Sequence, residues 1–194
     1  MIARFLSLLA FLLLAPAWAA EPVVVVRTSL GEFAIELDAT RAPRTVANFL
    51  QYVEAGHYTG GIFHRTVRLE PDNQPHNDVK IEVIQASVNP AQAGADLAPV
   101  ALERTRDTGL LHRDGTISMA RDGPDTATSD FFLCLGDQPE LDYGGQRNPD
   151  GQGFAAFGRV IRGFAVVRAI HQSPADKQVL TPPVRILNIT LLSE

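Results

Sequence analysis

Arg65 is the residue whose setting asks for chemistry. It lies in Gly61-Ile62-Phe63-His64-Arg65-Thr66-Val67, which follows a Gly-Gly turn signal and reads as a strand. Strict alternation puts Phe63, Arg65 and Val67 on one face. A guanidinium between two core-type residues is costly unless it is paired with a carboxylate at a barrel rim, solvated at a cleft, or functional. The stretch alone leaves the rim salt bridge and the functional arginine both open. The other reactive residue types exclude several schemes. There is no G-x-S-x-G elbow, and Ser118 and Ser129 have no evident histidine partner. His57 and His64 are seven apart, and no H-E-x-x-H or paired-Cys spacing offers a metal cage. His76, His112 and His171 are scattered and read as surface or capping residues. No glycine-rich loop joins a strand to a helix, so phosphate binding is not indicated. What remains is one arginine and a set of apolar residues spread over several strands.

The elements that position them belong to a chain of 194 residues, 45% hydrophobic and 20% charged, enough for one globular domain with a sizeable core. Residues 1–20 read as a secretory signal peptide. Met1 to Arg4 form the basic n-region, Phe5 to Leu14 the apolar run, and Ala17-Trp18-Ala19 the cleavage signal. The domain then spans 21–194. No second apolar run reaches membrane length, so no span is expected after cleavage. The expected destination is the periplasm or the exterior. Cys134 is the only cysteine, so no intramolecular disulfide is possible; within Phe131-Phe132-Leu133-Cys134-Leu135 it reads as a small buried hydrophobe. The net charge of −5 becomes −6 when Arg4 leaves with the signal, and no basic cluster suggests nucleic acid.

Val23 to Thr28 and Phe33 to Leu37 form a hairpin around Ser29-Leu30-Gly31. After Pro43, Val46, Phe49, Leu50 and Val53 mark an amphipathic helix that Gly56 ends. Arg68 to Lys80 is a long polar loop, and Lys80 to Ala86 resumes alternation. Ala91 to Asp107 reads as irregular; Thr116–Ala120 and Phe131–Leu135 are strands. Asp137 to Gly153 is a Gly-, Asn- and Asp-rich surface loop. Ala155–Val160 is a strand, Phe164–His171 a second short helix, and Val184–Leu191 the closing strand. The expected fold is mainly β: a closed antiparallel barrel of about eight strands capped by two helices, since closure removes exposed edges.

Five blocks then carry a resemblance. Gly56-His57-Tyr58 with Phe63-His64-Arg65, Val83-Ile84-Gln85, Gly109 through Ala120, Ser129-Asp130-Phe131-Phe132, and Phe154 through Val160 together resemble the cyclophilin family. They occur in family order along nearly the whole mature chain. The resemblance implies a peptidyl-prolyl cis-trans isomerase with Arg65 as the catalytic residue. It implies that Gln85, Ala120, Arg121, Phe132, Leu141 and Phe154 line the peptide site. No metal or cofactor is implied. The expected partners are proline-containing segments of unfolded or partly folded exported proteins, met by a monomer. The alternative is a diverged peptide-binding module or holdase with little turnover.

The sequence departs from the family in places. The polar 68–80 stretch replaces a short apolar Pro-Gly-Phe turn, and Glu82 or Val83 stands where an aromatic residue precedes the glutamine. Ala86-Ser87 replaces Gly-Gly, Asp130 a common Gln, Arg121 a common Asn, and Glu140 a large aromatic. These changes remove apolar surface or add charge. They imply a weaker or differently selective isomerase that binds cyclosporin-like macrocycles poorly.

Overall fold

The structure, a computed structural model, describes residues 21–92 and 94–192; the expected signal segment lies outside them. Four consecutive valines build β1 (Val23–Thr28), which turns into β2 (Gly31–Leu37). The Thr28 hydroxyl closes that turn, donating to the Gly31 carbonyl at 2.8 Å and accepting the Leu30 N–H at 3.1 Å. Helix α1 (Pro43–Glu54) starts on a proline, whose fixed φ suits the first helical turn. Its free N–H groups are capped from a distance: the Glu103 carboxylate accepts from Thr45 N–H at 2.8 Å and Arg44 N–H at 3.2 Å. Gly56 ends α1 at φ 71°, and the Gly56 and His57 N–H groups reach back to Val53 and Tyr52.

The remaining strands are β3 (Ile62–Val67), β4 (Val83–Ser87), β5 (Thr116–Met119), β6 (Phe131–Cys134), β7 (Ala155–Arg162), β8 (Ala175–Asp176) and β9 (Val179–Leu191). Hydrogen-bonded order runs β1-β2-β7-β5-β6-β4-β3-β9, all antiparallel, and β9 pairs with β1 to close an eight-stranded barrel. The two-residue β8 adds a ninth strand on β9. Helix α3 (Phe164–His171) buries Val167 and Ile170 against the barrel. Several elements differ in detail from the sequence reading. The irregular segment contains a one-turn helix, α2 (Thr105–Thr108), because Gly109 at φ 71° stops it at once. β4 starts at Val83, since the Gln74 amide occupies the backbone of Ile81. β9 starts at Val179, where the chain pairs with β8 before reaching the expected start.

Alternation sorts the apolar residues into two clusters. Phe33, Phe49, Phe63, Phe131 and Phe157 belong to the barrel core. Val67, Ile81, Val83, Phe132, Cys134 and Leu141 form a second cluster, with Ala120 and Phe154 packed against it. Phe131 and Phe132 are neighbours in sequence and belong to different compartments, as period-2 geometry demands. Cys134 is buried, and burial pushes its thiol well above the ordinary range, so it behaves as a small hydrophobe.

The strict alternation expected for β3 does not hold. Phe63 pairs with Ala86, but Arg65 pairs with Gln85, so a bulge leaves His64 as an extra residue. Phe63 therefore points into the core, whereas Arg65 and Val67 face the second cluster. The pairing with β9 shifts at the same place. The extra residue costs the strand nothing in charge: burial and the Arg65 guanidinium both lower the His64 pKa and hold it neutral. Among the described residues no helix is long and apolar enough to cross a membrane.

Candidate active site

The second apolar cluster floors a cleft of about 620 Å³ on the outer face of the barrel. Arg65, Gln85, Ala120, Arg121, Phe132, Leu141 and Phe154 all line it, so the structure brings together every residue of the expected site. Their positions follow from the strands. β3 supplies Arg65, β4 Gln85 and Val83, β6 Phe132, and a 3-10 turn over Pro139–Leu141 supplies Leu141. Phe154 precedes β7 and meets Phe132 edge-on, ring centroids 5.4 Å apart. Ile81 and Val83 complete the wall where an aromatic residue was expected. Glu140 does not line the cleft; its carboxylate accepts the Gln146 N–H at 2.8 Å.

Arg65 has no carboxylate partner among the described residues, which disposes of the rim salt bridge. Two neutral amides hold it. Nε donates to Gln178 Oε1 at 2.8 Å, and one terminal nitrogen donates to Gln85 Oε1 at 3.0 Å. An amide oxygen orients a guanidinium without cancelling its charge. Of its five N–H groups, three remain uncommitted by these bonds. Burial lowers the Arg65 pKa, yet from so high a starting value that the group stays charged.

Gln178 was not anticipated from sequence. It sits in the β8–β9 turn, and its amide nitrogen donates to the Asn73 carbonyl at 2.6 Å. The turn and the 68–80 loop are thereby joined behind Arg65, with Asn73 Nδ2 also donating to the Lys177 carbonyl at 2.7 Å. On the other side Gln85 Nε2 donates to Asp130 Oδ2 at 3.3 Å. Asp130 can only accept while ionised, so it fixes which way round the Gln85 amide lies.

Arg121 lines the cleft, but its guanidinium is spent elsewhere. It makes a two-pronged pair with Asp150, at 2.7 and 3.0 Å, and two bonds to the Gly153 carbonyl, with its side chain only 1% exposed. It also lies 5.0 Å above the Phe154 ring. The bonds from Arg121 hold the Asp150 carboxyl below the usual carboxylate range. Arg121 thus braces Phe154 and its loop. Gly153 has φ 66° and passes so close to Asp142 that a Cβ would stand 2.6 Å from its carbonyl carbon; only glycine fits.

Beneath the cleft floor lies a polar group that joins His112, Ser118 and Asp142. His112 is not a surface or capping histidine: it is 1% exposed. Its Nδ1 lies 2.7 Å from Asp142 Oδ1 and its Nε2 2.9 Å from Ser118 Oγ. Asp142 is an acceptor, so Nδ1 donates to it, and Nε2 shares a hydrogen bond with the serine hydroxyl. The turn Arg113-Asp114-Gly115 brings His112 back beside Ser118, six residues later. Ser118 has 0% exposure, so this serine does not meet a substrate. The imidazole stacks on Phe132, centroids 5.9 Å apart at 13°, and meets Phe154 edge-on. Its place is structural support for the two aromatic rings above it.

With the geometry in place, comparison with known proteins is decisive. The family model described as cyclophilin type peptidyl-prolyl cis-trans isomerase/CLD matches residues 23–191. The chain belongs to the cyclophilin-type peptidyl-prolyl cis-trans isomerases. This cyclophilin is 40% identical over 172 residues to peptidyl-prolyl cis-trans isomerase A of Dickeya dadantii, covering 86% of this chain and 80% of the relative. It is 39% identical over 149 residues to peptidyl-prolyl cis-trans isomerase cyp18 of Streptomyces antibioticus, covering 76% and 81%. A crystal structure of a Cryptosporidium parvum cyclophilin type peptidyl-prolyl cis-trans isomerase superposes with TM-score 0.70 at 23% identity, over 90% of this chain and 99% of that one. At that identity the likeness speaks for the barrel.

The Asp130–Gln85–Arg65 chain of hydrogen bonds gives the cyclophilin a pH signature. Burial raises the Asp130 carboxyl above its ordinary value, against a smaller lowering by Gln85. A carboxyl raised on folding costs stability when ionised, and that cost is relieved as pH falls through the folded pKa. Protonation then weakens the acceptor that orients Gln85 and lets a flipped amide turn its N–H toward Arg65. We expect kcat/KM to fall on acidification with a midpoint above the ordinary aspartate value. Asp130→Asn, which cannot ionise, should lack that limb; the same limb in the variant would remove Asp130 from the chain.

Proposed function

We propose that this cyclophilin accelerates X-Pro isomerisation in exported proteins as they fold, with Arg65 as its catalytic residue. An X-Pro bond prefers trans only slightly, but amide resonance imposes a barrier of roughly 20 kcal/mol. No bond to carbon is made or broken, so the enzyme has only to stabilise a twisted amide. Twisting frees the lone pair of the proline nitrogen, and a donor aimed at that nitrogen binds the transition state better than the planar ground state.

The observation that carries the reading is Arg65 itself: a charged guanidinium held by two neutral amides, uncancelled by any described carboxylate, above an apolar floor. Phe132, Leu141 and Phe154 would take the proline ring, with Ile81 and Val83 as the side wall. Gln85 keeps one Nε2 hydrogen for a substrate carbonyl after bonding Asp130. Bringing a process of tens of seconds down to milliseconds requires on the order of 5–7 kcal/mol, within reach of one charged hydrogen bond, apolar exclusion of water and substrate positioning.

Export rests on the sequence of residues 1–20, with its basic start, apolar run and A-x-A signal. The test is to express the full chain in a Gram-negative host, fractionate the cells and sequence the amino terminus. A soluble envelope protein whose amino terminus falls directly after the Ala17-Trp18-Ala19 signal, active on a proline peptide, is expected. Full-length chain retained in the cytoplasm would overturn the export reading and leave the isomerase intact.

A further inference from the structure

Arg147 lies in the loop between the Pro139–Leu141 turn and β7, yet it is not a free surface arginine. One terminal nitrogen donates to Gln74 Oε1 at 3.0 Å and to the Val79 carbonyl at 2.6 Å. Both acceptors belong to the 68–80 region, which is itself held by buried amides. Asn73 Oδ1 accepts the Arg68 N–H at 2.9 Å, and Gln74 Nε2 donates to the Arg68 and Ile81 carbonyls at 2.8 and 2.9 Å. The rotamer freedom that a long side chain gives up on binding is therefore largely spent before a ligand arrives.

The guanidinium so fixed lines the same cleft as Arg65. Burial first, and the Arg65 charge second, lower the Arg147 pKa. No described carboxylate pairs with either arginine. Glu140, close in the chain, is occupied by the Gln146 N–H. Three carboxylates line the cleft, and none pairs with either arginine: Asp130 accepts from Gln85, Asp96 accepts from Ser129 Oγ at 2.8 Å, and Asp122 follows Arg121 in the loop after β5. Two cations without a carboxylate partner face one partly desolvated space and repel each other, and an anionic group between them would relieve that repulsion. Asn77 and Asn148, which also line the cleft, add amide donors.

We propose that Arg147 is a specificity-determining residue that binds a substrate carboxylate, so that X-Pro segments with an acidic side chain or chain terminus beside the proline are preferred. The proposal rests on the isomerase reading and names the substrate class of the same cleft.

Isomerisation of short proline peptides, followed by NMR exchange, tests it. The panel places Glu directly before the proline, Glu directly after it, or a free carboxylate terminus after it, each against its Gln or amide counterpart. The readout is the ratio of kcat/KM within each pair, so general losses cancel. The wild type should prefer at least one acidic member by about five- to tenfold, less at high salt. Arg147→Gln should bring that ratio to about one, and Arg147→Lys should keep part of it. The pair that responds identifies the source of the carboxylate. A ratio near one in the wild type, or an unchanged ratio in Arg147→Gln, would overturn the proposal. Failure to accelerate even the uncharged peptides would overturn the isomerase reading and the proposal together.

Discussion

Arg65→Ala lowers kcat/KM on a neutral X-Pro peptide by about 10²- to 10³-fold, the range found when one donor to a developing charge is removed. The fold has little stake in this side chain, which packs in the cleft and bonds only to two amides, so Tm should shift by a few degrees at most. Arg65→Lys should recover only a small part. An ammonium keeps the charge but cannot bond Gln178 and Gln85 in the plane of a fork and still present further N–H groups to the substrate. Gln178→Ala removes one of the two supports and leaves the donor, so a severalfold loss in kcat with KM nearly unchanged is expected. A coupled or NMR isomerisation assay on the three variants ranks them. An Arg65→Ala enzyme as fast as wild type would end the claim that this guanidinium stabilises the twisted amide.

The second large effect is expected at His112, which touches no substrate. Removing the ring by His112→Ala leaves the Ser118 hydroxyl buried without a partner and deprives Asp142 of its imidazole donor. Each buried unsatisfied group costs about 1–3 kcal/mol, and the missing ring leaves a void beneath Phe132. A total of about 3 kcal/mol corresponds to a fall in Tm of roughly 6–12 °C for a chain of this size. The same change loosens Phe132 and Phe154 above it, so KM should rise more than kcat falls. His112→Asn, which can still donate to Asp142, should lose less. Thermal unfolding and peptide kinetics check both parts; a Tm within about 1 °C of wild type would remove the polar layer from the account of stability.

The barrel was legible because its signals are local. Four valines in a row, alternation in Phe33 to Leu37, and a proline before Val46-x-x-Phe49 each declare an element from a handful of residues. The cleft residues Phe132 and Phe154 were not legible that way, since either could have been ordinary core. Only the cyclophilin-like blocks put them on the site, and Phe131 beside Phe132 shows why composition alone fails: one is core and the other is cleft. Gln178 and Arg65 are 113 positions apart and meet only because β9 returns beside β3, which no local pattern reports. His112 escaped for a different reason. Its partner Ser118 is close in sequence, but across a tight turn whose closure had to be seen to pair them. The face assigned to Phe63 was wrong by a single residue, because alternation was counted through a bulge that leaves no mark in residue type.

That extra residue at His64 has a consequence for how the protein can change. Sidedness along a strand is a matter of odd and even, and the bulge switches the count midway. The upstream half of β3 serves the interior and the downstream half faces the cleft, although one continuous ribbon carries both. Replacing His64 with another residue leaves the count intact, so the faces of Phe63 and Arg65 are kept. Losing one residue at that point would exchange the two audiences, sending Phe63 toward the peptide or Arg65 toward Phe131. The register of β3 therefore depends on a residue being present at position 64.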